Sequence, residues 1–390
     1  MHNLSNPLLF LGTLLTAGGY GATFLISHWF HLNGGTDTDA GLTLSMGLIG
    51  TFIGVPLVGW WSGKVGAVKL AALGAAGLAC GYALLSKLTG ANPVALPHLA
   101  TFMIGLGWGM FYLGAPLALS ERVTDRERTS NFTRFSAFQM TGICSSPILL
   151  KLFVDQGDRP LEAAFAGVAI LAMVASGFLL LSGISVPPTR HNTRFQPWVT
   201  KLSVLVGGSA IRPIVMVGLG GAVFSGMMAF QGSLTEGTRS SPSVFFGVHA
   251  ATAVAARLLL ARRLSTWHRN PLMAVLLALL IAGLLCLLGM PLHPAFHIAS
   301  ALLTGAGYGL LYPVIQAWAV NSSKPEDRHA ALTWFVISYF VGIFGFPAVG
   351  GWLLVASGKT LFIATLIALA ALELATAFIG AQPRGNNRTQ

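Results

Sequence analysis

The side chains able to do chemistry inside the apolar stretches of this sequence are few, and each also has a plain structural reading. His249 stands in FFGVHAATAV. It fits three roles: a hydrogen-bonded core histidine, a proton carrier switching near neutral pH, or a metal ligand beside Met227 and Met228. Glu373 is the acid placed deepest in an apolar stretch. A charge there is costly and usually functional, whereas a carboxylate reaching the polar interface would be only an anchor. His249 and Glu373 are therefore the candidate proton carriers. His28 and His297, near stretch ends, read as interfacial.

The other polar chemistry is aromatic and amide. Tyr20 follows the Gly18-Gly19 pair, Trp108 and Tyr112 sit one helical turn apart, and Tyr308 and Tyr312 repeat that spacing. Gln139, Met228, Gln231, Gln316 and Trp334 lie on other stretches. A tyrosine or tryptophan joins an apolar face to one hydrogen-bonding group, which suits an amphipathic solute or an organic cation held over a ring. Taken singly, each serves equally as packing. The repeated pair Tyr112 and Tyr312 is the strongest of them. No catalytic cluster of acids, histidines or Ser/His pairs occurs within the stretches, and no cofactor is expected. Cys80, Cys144 and Cys286 read as small core residues.

What positions these side chains must be a set of membrane helices. The 390 residues are 54% apolar and 9% charged, with a mean hydropathy of +0.71, where soluble proteins carry about 25% charged residues. This excludes a soluble enzyme, a nucleic-acid binder and a secreted domain. The partners expected are a small-molecule substrate and the lipid bilayer, with no nucleic acid, and the chain is expected to be monomeric. Twelve spans are predicted at about 7–28, 40–61, 68–86, 96–120, 132–154, 161–183, 209–232, 243–261, 271–290, 294–320, 330–354 and 359–380, each long enough for a helix of ~20 residues. The N-terminus lacks a basic region and a small-residue cleavage site, so the first stretch is expected to stay as a helix.

The interruption at 184–208 divides the spans six and six. It predicts an N-terminal bundle at 1–183, a cytoplasmic linker at 184–208 with a short interfacial helix after Pro197, a C-terminal bundle at 209–380 and a cytoplasmic tail at 381–390. With both termini in the cytoplasm, the inner loops and ends hold fifteen Lys and Arg against five outside. That bias is the one expected of a multi-pass inner-membrane protein. The halves also repeat. GLGWGMFY at 105–112 matches GAGYGLLY at 305–312, and at the same offset of 200 Arg128 pairs with Arg328, Phe135 with Phe335, Gly142 with Gly342 and Pro147 with Pro347. The Gly18-Gly19 pair finds Gly220-Gly221 at an offset of 202. Generic small-residue packing explains any one pair, but not a register kept over 40 residues. Two parallel repeats of six helices, with the site between them near the midplane, is a transporter architecture.

With these features the chain resembles the major facilitator superfamily over essentially its full length. The family's signature between its second and third helices is G-x-x-x-D-R-x-G-[RK]-[RK]. Here Gly59, Lys64 and Gly66 keep the frame, but Gly63 replaces the acid. In the second half Arg257 and a basic cluster occupy 256–270, with Ser265 where an Asp would fall. The resemblance implies a cytoplasmic charge latch; the missing acids imply a weak one. A helix-5 pattern of family antiporters, G-x-x-x-G-P-x-x-G-G, is echoed by Gly142 to Pro147 with Ser146 for a glycine, and more fully by Gly342, Pro347, Gly350 and Gly351. Such glycines allow close helix approach and the proline allows a bend, so the pattern hints at export. Of the helix-4 pattern R-x-x-x-G-x-G-x-G, Gly105, Gly107 and Gly109 remain, with Thr101 at the arginine position. A copper-importing subgroup uses M-x-x-x-M and H-x-x-x-M on helices 7 and 8, but Gly232 and Ala253 stand where the second methionines would be.

The resulting expectation is an all-α membrane protein with twelve transmembrane helices in two pseudo-symmetric bundles. It would be a secondary transporter moving a small amphipathic organic solute by alternating access, export by proton antiport being favoured. A copper or nutrient importer of the same family is the nearer alternative. A non-transporting membrane sensor or assembly factor is the alternative from another class.

Overall fold

The computed structural model describes residues 5–34, 37–89, 95–157, 159–184, 198–264 and 266–378. Most of the linker, with Arg190 and Arg194, as well as Ser265 and the tail at 381–390, lies outside the described residues. The described residues contain no strand. They hold twelve helices long and apolar enough to cross a membrane, as they must where no water is available to satisfy backbone groups. We number them α1 (Ser5–Gly21), α2 (Asp37–Val65), α3 (Ala67–Leu85), α4 (Ala95–Ser120), α5 (Asp125–Gly157), α6 (Leu161–Ile184), α7 (Ile211–Ala229), α8 (Pro242–Leu264), α9 (Arg269–Gly289) and α10 (Ala295–Asn321). The continuous run Arg328–Phe378 departs from helical geometry inside only at Gly358, whose φ is 78° and ψ 175°. Residues 328–357 are thus α11 and 359–378 are α12.

The expected spans are all present, and the differences at their ends have local causes. α5 begins seven residues earlier than the apolar pattern, at Asp125. Asp125 and Glu127 suit its first turn because an acid complements the positive end of the helix dipole. α2 and α3 are separated by Gly66 alone, with φ 87°, a left-handed conformation that a side chain disfavours. α1 loosens after Tyr20 into a 3-10 turn, Ala22–Leu25, and a short helix, Ile26–Leu32. Within the linker a short helix follows Pro197, at Leu202–Val206.

Two compact units result. The first contains Met1–Ala210, Val254–Ser265 and Gln316–Ile337; the second contains Ile211–Ala253, Thr266–Ile315 and Ser338–Gln390. In the first, α4 packs on α2 and α3, α3 on α6, and α1 on α5 and α6. Glycines let backbones meet: a methyl on Gly105 would strike the Gly47 carbonyl, and one on Gly109 that of Thr51. The second unit repeats this, with Gly305 against His249 and Gly309 against Ala253. Gly107 meets Gly74 and Leu78, and Gly307 meets Leu276 and Leu280. These matches put α2 with α8, and α3 with α9, at an offset of 202.

For α1 and α7 the structure corrects the register. Gly142 lies against Leu14 and Gly18, and Gly342 against Gly218 and Ala222. The equivalent residues are therefore 204 apart, not 202. The Gly18-Gly19 and Gly220-Gly221 pairs are not counterparts: Gly18 and Gly19 face Gly142 and Leu78, while Gly220 and Gly221 face Glu373 and Tyr339.

Candidate functional site

In the corrected register Tyr20 corresponds to Phe224, and Trp108 to Tyr308. Each pair is a ring stack. Tyr20 lies on Trp108 with centroids 4.2 Å apart and planes at 11°. Phe224 lies on Tyr308 at 4.8 Å and 12°. One turn along, Tyr112 sits 5.4 Å from Trp108, and Tyr312 packs at 4.9 Å on Tyr339 of α11. Each unit thus carries an aromatic step formed by its first and fourth helices.

In the second unit a histidine and a glutamate stand beside the step. His249 on α8 is buried, its ring 6.1 Å from Phe224 and stacked at 5.9 Å on Phe245. Its Nδ1 lies 3.1 Å from Thr304 Oγ1. Thr304 donates its one proton to the Ser300 carbonyl at 2.7 Å, so it accepts from His249, and Nδ1 carries the hydrogen. In the first unit Gly47 occupies the equivalent of His249.

Glu373 is fully buried, 0% exposed. Its carboxylate fits against Gly220, where a methyl would come within 3.0 and 3.2 Å of the two oxygens and 3.2 Å of the Tyr308 ring. Neither oxygen has a hydrogen-bond partner among the described residues. It is therefore not a carboxylate snorkelling to the interface. His297 also departs from the interfacial reading. It is 1% exposed, stacks on Phe245 at 5.0 Å and bonds Gln231 Oε1 through Nε2 at 2.8 Å. Gln231 in turn donates to the Met227 carbonyl at 3.0 Å. Gln231 thus has a structural partner, while Met228 is half-buried near the end of α7.

The remaining candidates fall in the first unit. Gln139 and Gln316 are buried. Trp334 joins none of the stacks above: its Nε1 donates to the Trp198 carbonyl at 3.2 Å and its ring meets that of Trp198. Of the motif residues, Arg257 is buried and donates to the Ser136 carbonyl at 3.1 Å, so it is more than a surface anchor. Lys64 is exposed in the last turn of α2.

Sequence reasoning used Arg128 only as a register mark and an inside charge. Among the described residues it is the largest fully buried side chain, bonded to Asp125 and Asn321 and to the Val123 carbonyl at 3.2 Å. Arg328, its partner in the repeat, reaches the same Asp125 at 3.1 Å. The signal available was Arg128 and Arg328 at equivalent positions with one acid three residues before the first.

The sequence matches the profile of the Major Facilitator Superfamily over residues 9–293 and 216–389. The chain belongs to the major facilitator superfamily. An uncharacterized MFS-type transporter of Burkholderia mallei (strain SAVP1) is 26% identical over 334 residues, covering 80% of this chain and 78% of that protein. Among solved structures, the human organic anion transporter MFSD10 (TETRAN) superposes with a TM-score of 0.78 at 16% identity, covering 96% of this chain and 99% of that one. The proton:xylose symporter XylE bound to 6-bromo-6-deoxy-D-glucose gives 0.77 at 15%, covering 97% and 95%. These likenesses establish the fold.

As a member of the superfamily the chain is a multi-pass membrane transporter, and such transporters are generally not enzymes. Its helix 2–3 signature lacks the acid at Gly63, and an acid appears elsewhere, at Asp125 between Arg128 and Arg328. The antiporter-like glycines Gly142 and Gly342 lie at backbone contacts with α1 and α7. Pro147 and Pro347 stand farther along α5 and α11. Among the described residues no group of three or more His, Cys, Asp or Glu could hold a metal ion.

Proposed function

We propose that this transporter exports a small amphipathic organic solute across the inner membrane in exchange for protons, by alternating access. In this reading it works as a monomer of two bundles, 1–183 and 209–380. The loops rich in Lys and Arg, which we call the basic end, face the cytoplasm together with both termini. The observation that carries the reading is the run Glu373, Tyr308, Phe224 and His249 in the second unit, in which Phe224 is half-buried and the other three are buried. Two stacked rings offer apolar area and a hydroxyl to an amphipathic solute, and a titratable group flanks them on each side. A carboxylate buried without a partner is costly. Charging Glu373 therefore calls for water or a cation to reach it, which ties its proton exchange to movement of the surrounding helices. Tyr20, Trp108 and Tyr112 form the corresponding aromatic step of the first unit.

The test is flux of ethidium, as an amphipathic cation, from liposomes holding the purified protein, with and without a pH gradient. Proton exchange predicts faster flux with the gradient, and slower flux when the gradient is collapsed by an uncoupler. Flux indifferent to the gradient would leave facilitated diffusion. No flux of ethidium or of a panel of neutral and anionic dyes would turn the reading toward a sensor.

A further inference from the structure

The linker returns to the described residues at Trp198, and that residue is placed unexpectedly. It is 6% exposed. Its ring fills the space left by Gly59 on α2, where a methyl would fall 2.6 Å from Trp198 Cδ1 and 3.1 Å from Thr333 on α11. Trp60 flanks the ring on one side at 6.1 Å, and Trp334 meets it edge-on at 5.0 Å. One indole therefore bridges a helix of the first half and a helix of the second at the basic end.

The segment around it is tied to the second half by hydrogen bonds and an ion pair. The Trp198 carbonyl accepts from Trp334. Lys201 pairs with the buried Asp327 at 2.8 Å, and Ser209 donates to the Ser322 carbonyl at 3.3 Å. By contrast, the contact with α2 is made by ring packing. The Trp198 Nε1 hydrogen is buried without an acceptor among the described residues, an unfavourable arrangement for a polar group. A contact made of apolar area and one unmet donor can be left more readily than one locked by hydrogen bonds.

We infer that Trp198 is a wedge that holds the basic end closed, seated on the second half by Trp334 and Lys201 and released from the Gly59 notch when α10 and α11 move away from α2. The glycine that opens the family signature is here the socket for a linker side chain. The inference rests on the alternating-access reading, but its test does not depend on finding a substrate.

Spin labels at Glu127 and Lys324, both exposed at the basic end, report its opening in a background lacking the three native cysteines. Trp198→Ala should raise the ratio of long to short distances on the order of tenfold, as loss of a buried aromatic anchor does. Gly59→Ala should act in the same direction by expelling the ring. Combining the two should open the end no further than Trp198→Ala alone, because the added methyl then has nothing to displace. Trp198→Phe should keep the parent distribution, since the lost N–H has no acceptor. A parent-like distribution in Trp198→Ala, or opening in Trp198→Phe equal to that in Trp198→Ala, overturns the wedge. Should Trp198→Ala fail to elute as a folded species, Gly59→Ala decides: an unchanged distribution there overturns the inference. Either negative result leaves the flux measurement, and with it the transporter reading, untouched.

Discussion

Thr304 decides what His249 can do. Its proton is committed to Ser300, so the imidazole donates through Nδ1. Thr304→Ser should preserve gradient-driven flux, while Thr304→Val should reduce it by removing the acceptor that fixes the tautomer. If His249 carries the proton, His249→Ala should abolish acceleration by a pH gradient while exchange at equal pH continues. Glu373→Gln separates the two carriers. Loss of acceleration there, with His249→Ala still gradient-sensitive, would assign the proton to Glu373. Binding is a different readout: Tyr112→Ala and Tyr312→Ala should each weaken substrate affinity by ~1–2 kcal/mol, measurable by titration of the purified protein. The sequence made the aromatic and titratable residues visible because they stand out in apolar runs. It did not show that Phe224 stacks on Tyr308, or that His297 is held by Gln231, since both depend on side chains far apart in the chain.

At the level of helices, legibility followed the chemistry of glycine. α4 and α10 could be paired from sequence because backbone contact demands the smallest residue at matched positions, and Gly105, Gly107 and Gly109 recur as Gly305, Gly307 and Gly309. The same cue misled for α1 and α7, where equal-looking pairs meet different neighbours. A direct check is Gly107→Ala, whose methyl would fall 2.6 Å from the Leu78 nitrogen and should cost about 1–3 kcal/mol by overpacking. Gly177→Ala on α6 meets nothing within 4 Å and should be neutral or slightly stabilising through helix propensity. Thermal unfolding in detergent distinguishes them. Helix ends were less legible because an acid-rich first turn, as in α5, looks like loop to a hydropathy window.

Over the whole molecule, the charge bias makes a topological claim that burial does not. Single cysteines at Glu127 and Ser241, both exposed, should react with an impermeant reagent from opposite faces of the membrane, Glu127 from the cytoplasm. Labelling from one face would defeat the twelve-helix arrangement. Counting arginines found the bias but treated Arg128 as one more anchor, because a count cannot tell a buried guanidinium from a solvated one. The join at Gly358 carries a further consequence. α11 and α12 meet at one residue with no slack between them, and Glu373 stands fifteen residues beyond it, about 22 Å along the helix axis. A rigid pair so joined would act as a bell crank. A tilt of roughly 10° in α11, passed through that joint, would sweep the carboxyl by ~4 Å, enough to carry it out of its niche beside Gly220. Lengthening the joint with inserted glycines should therefore uncouple the lever, leaving a carrier that still exchanges its solute but no longer answers to the proton gradient.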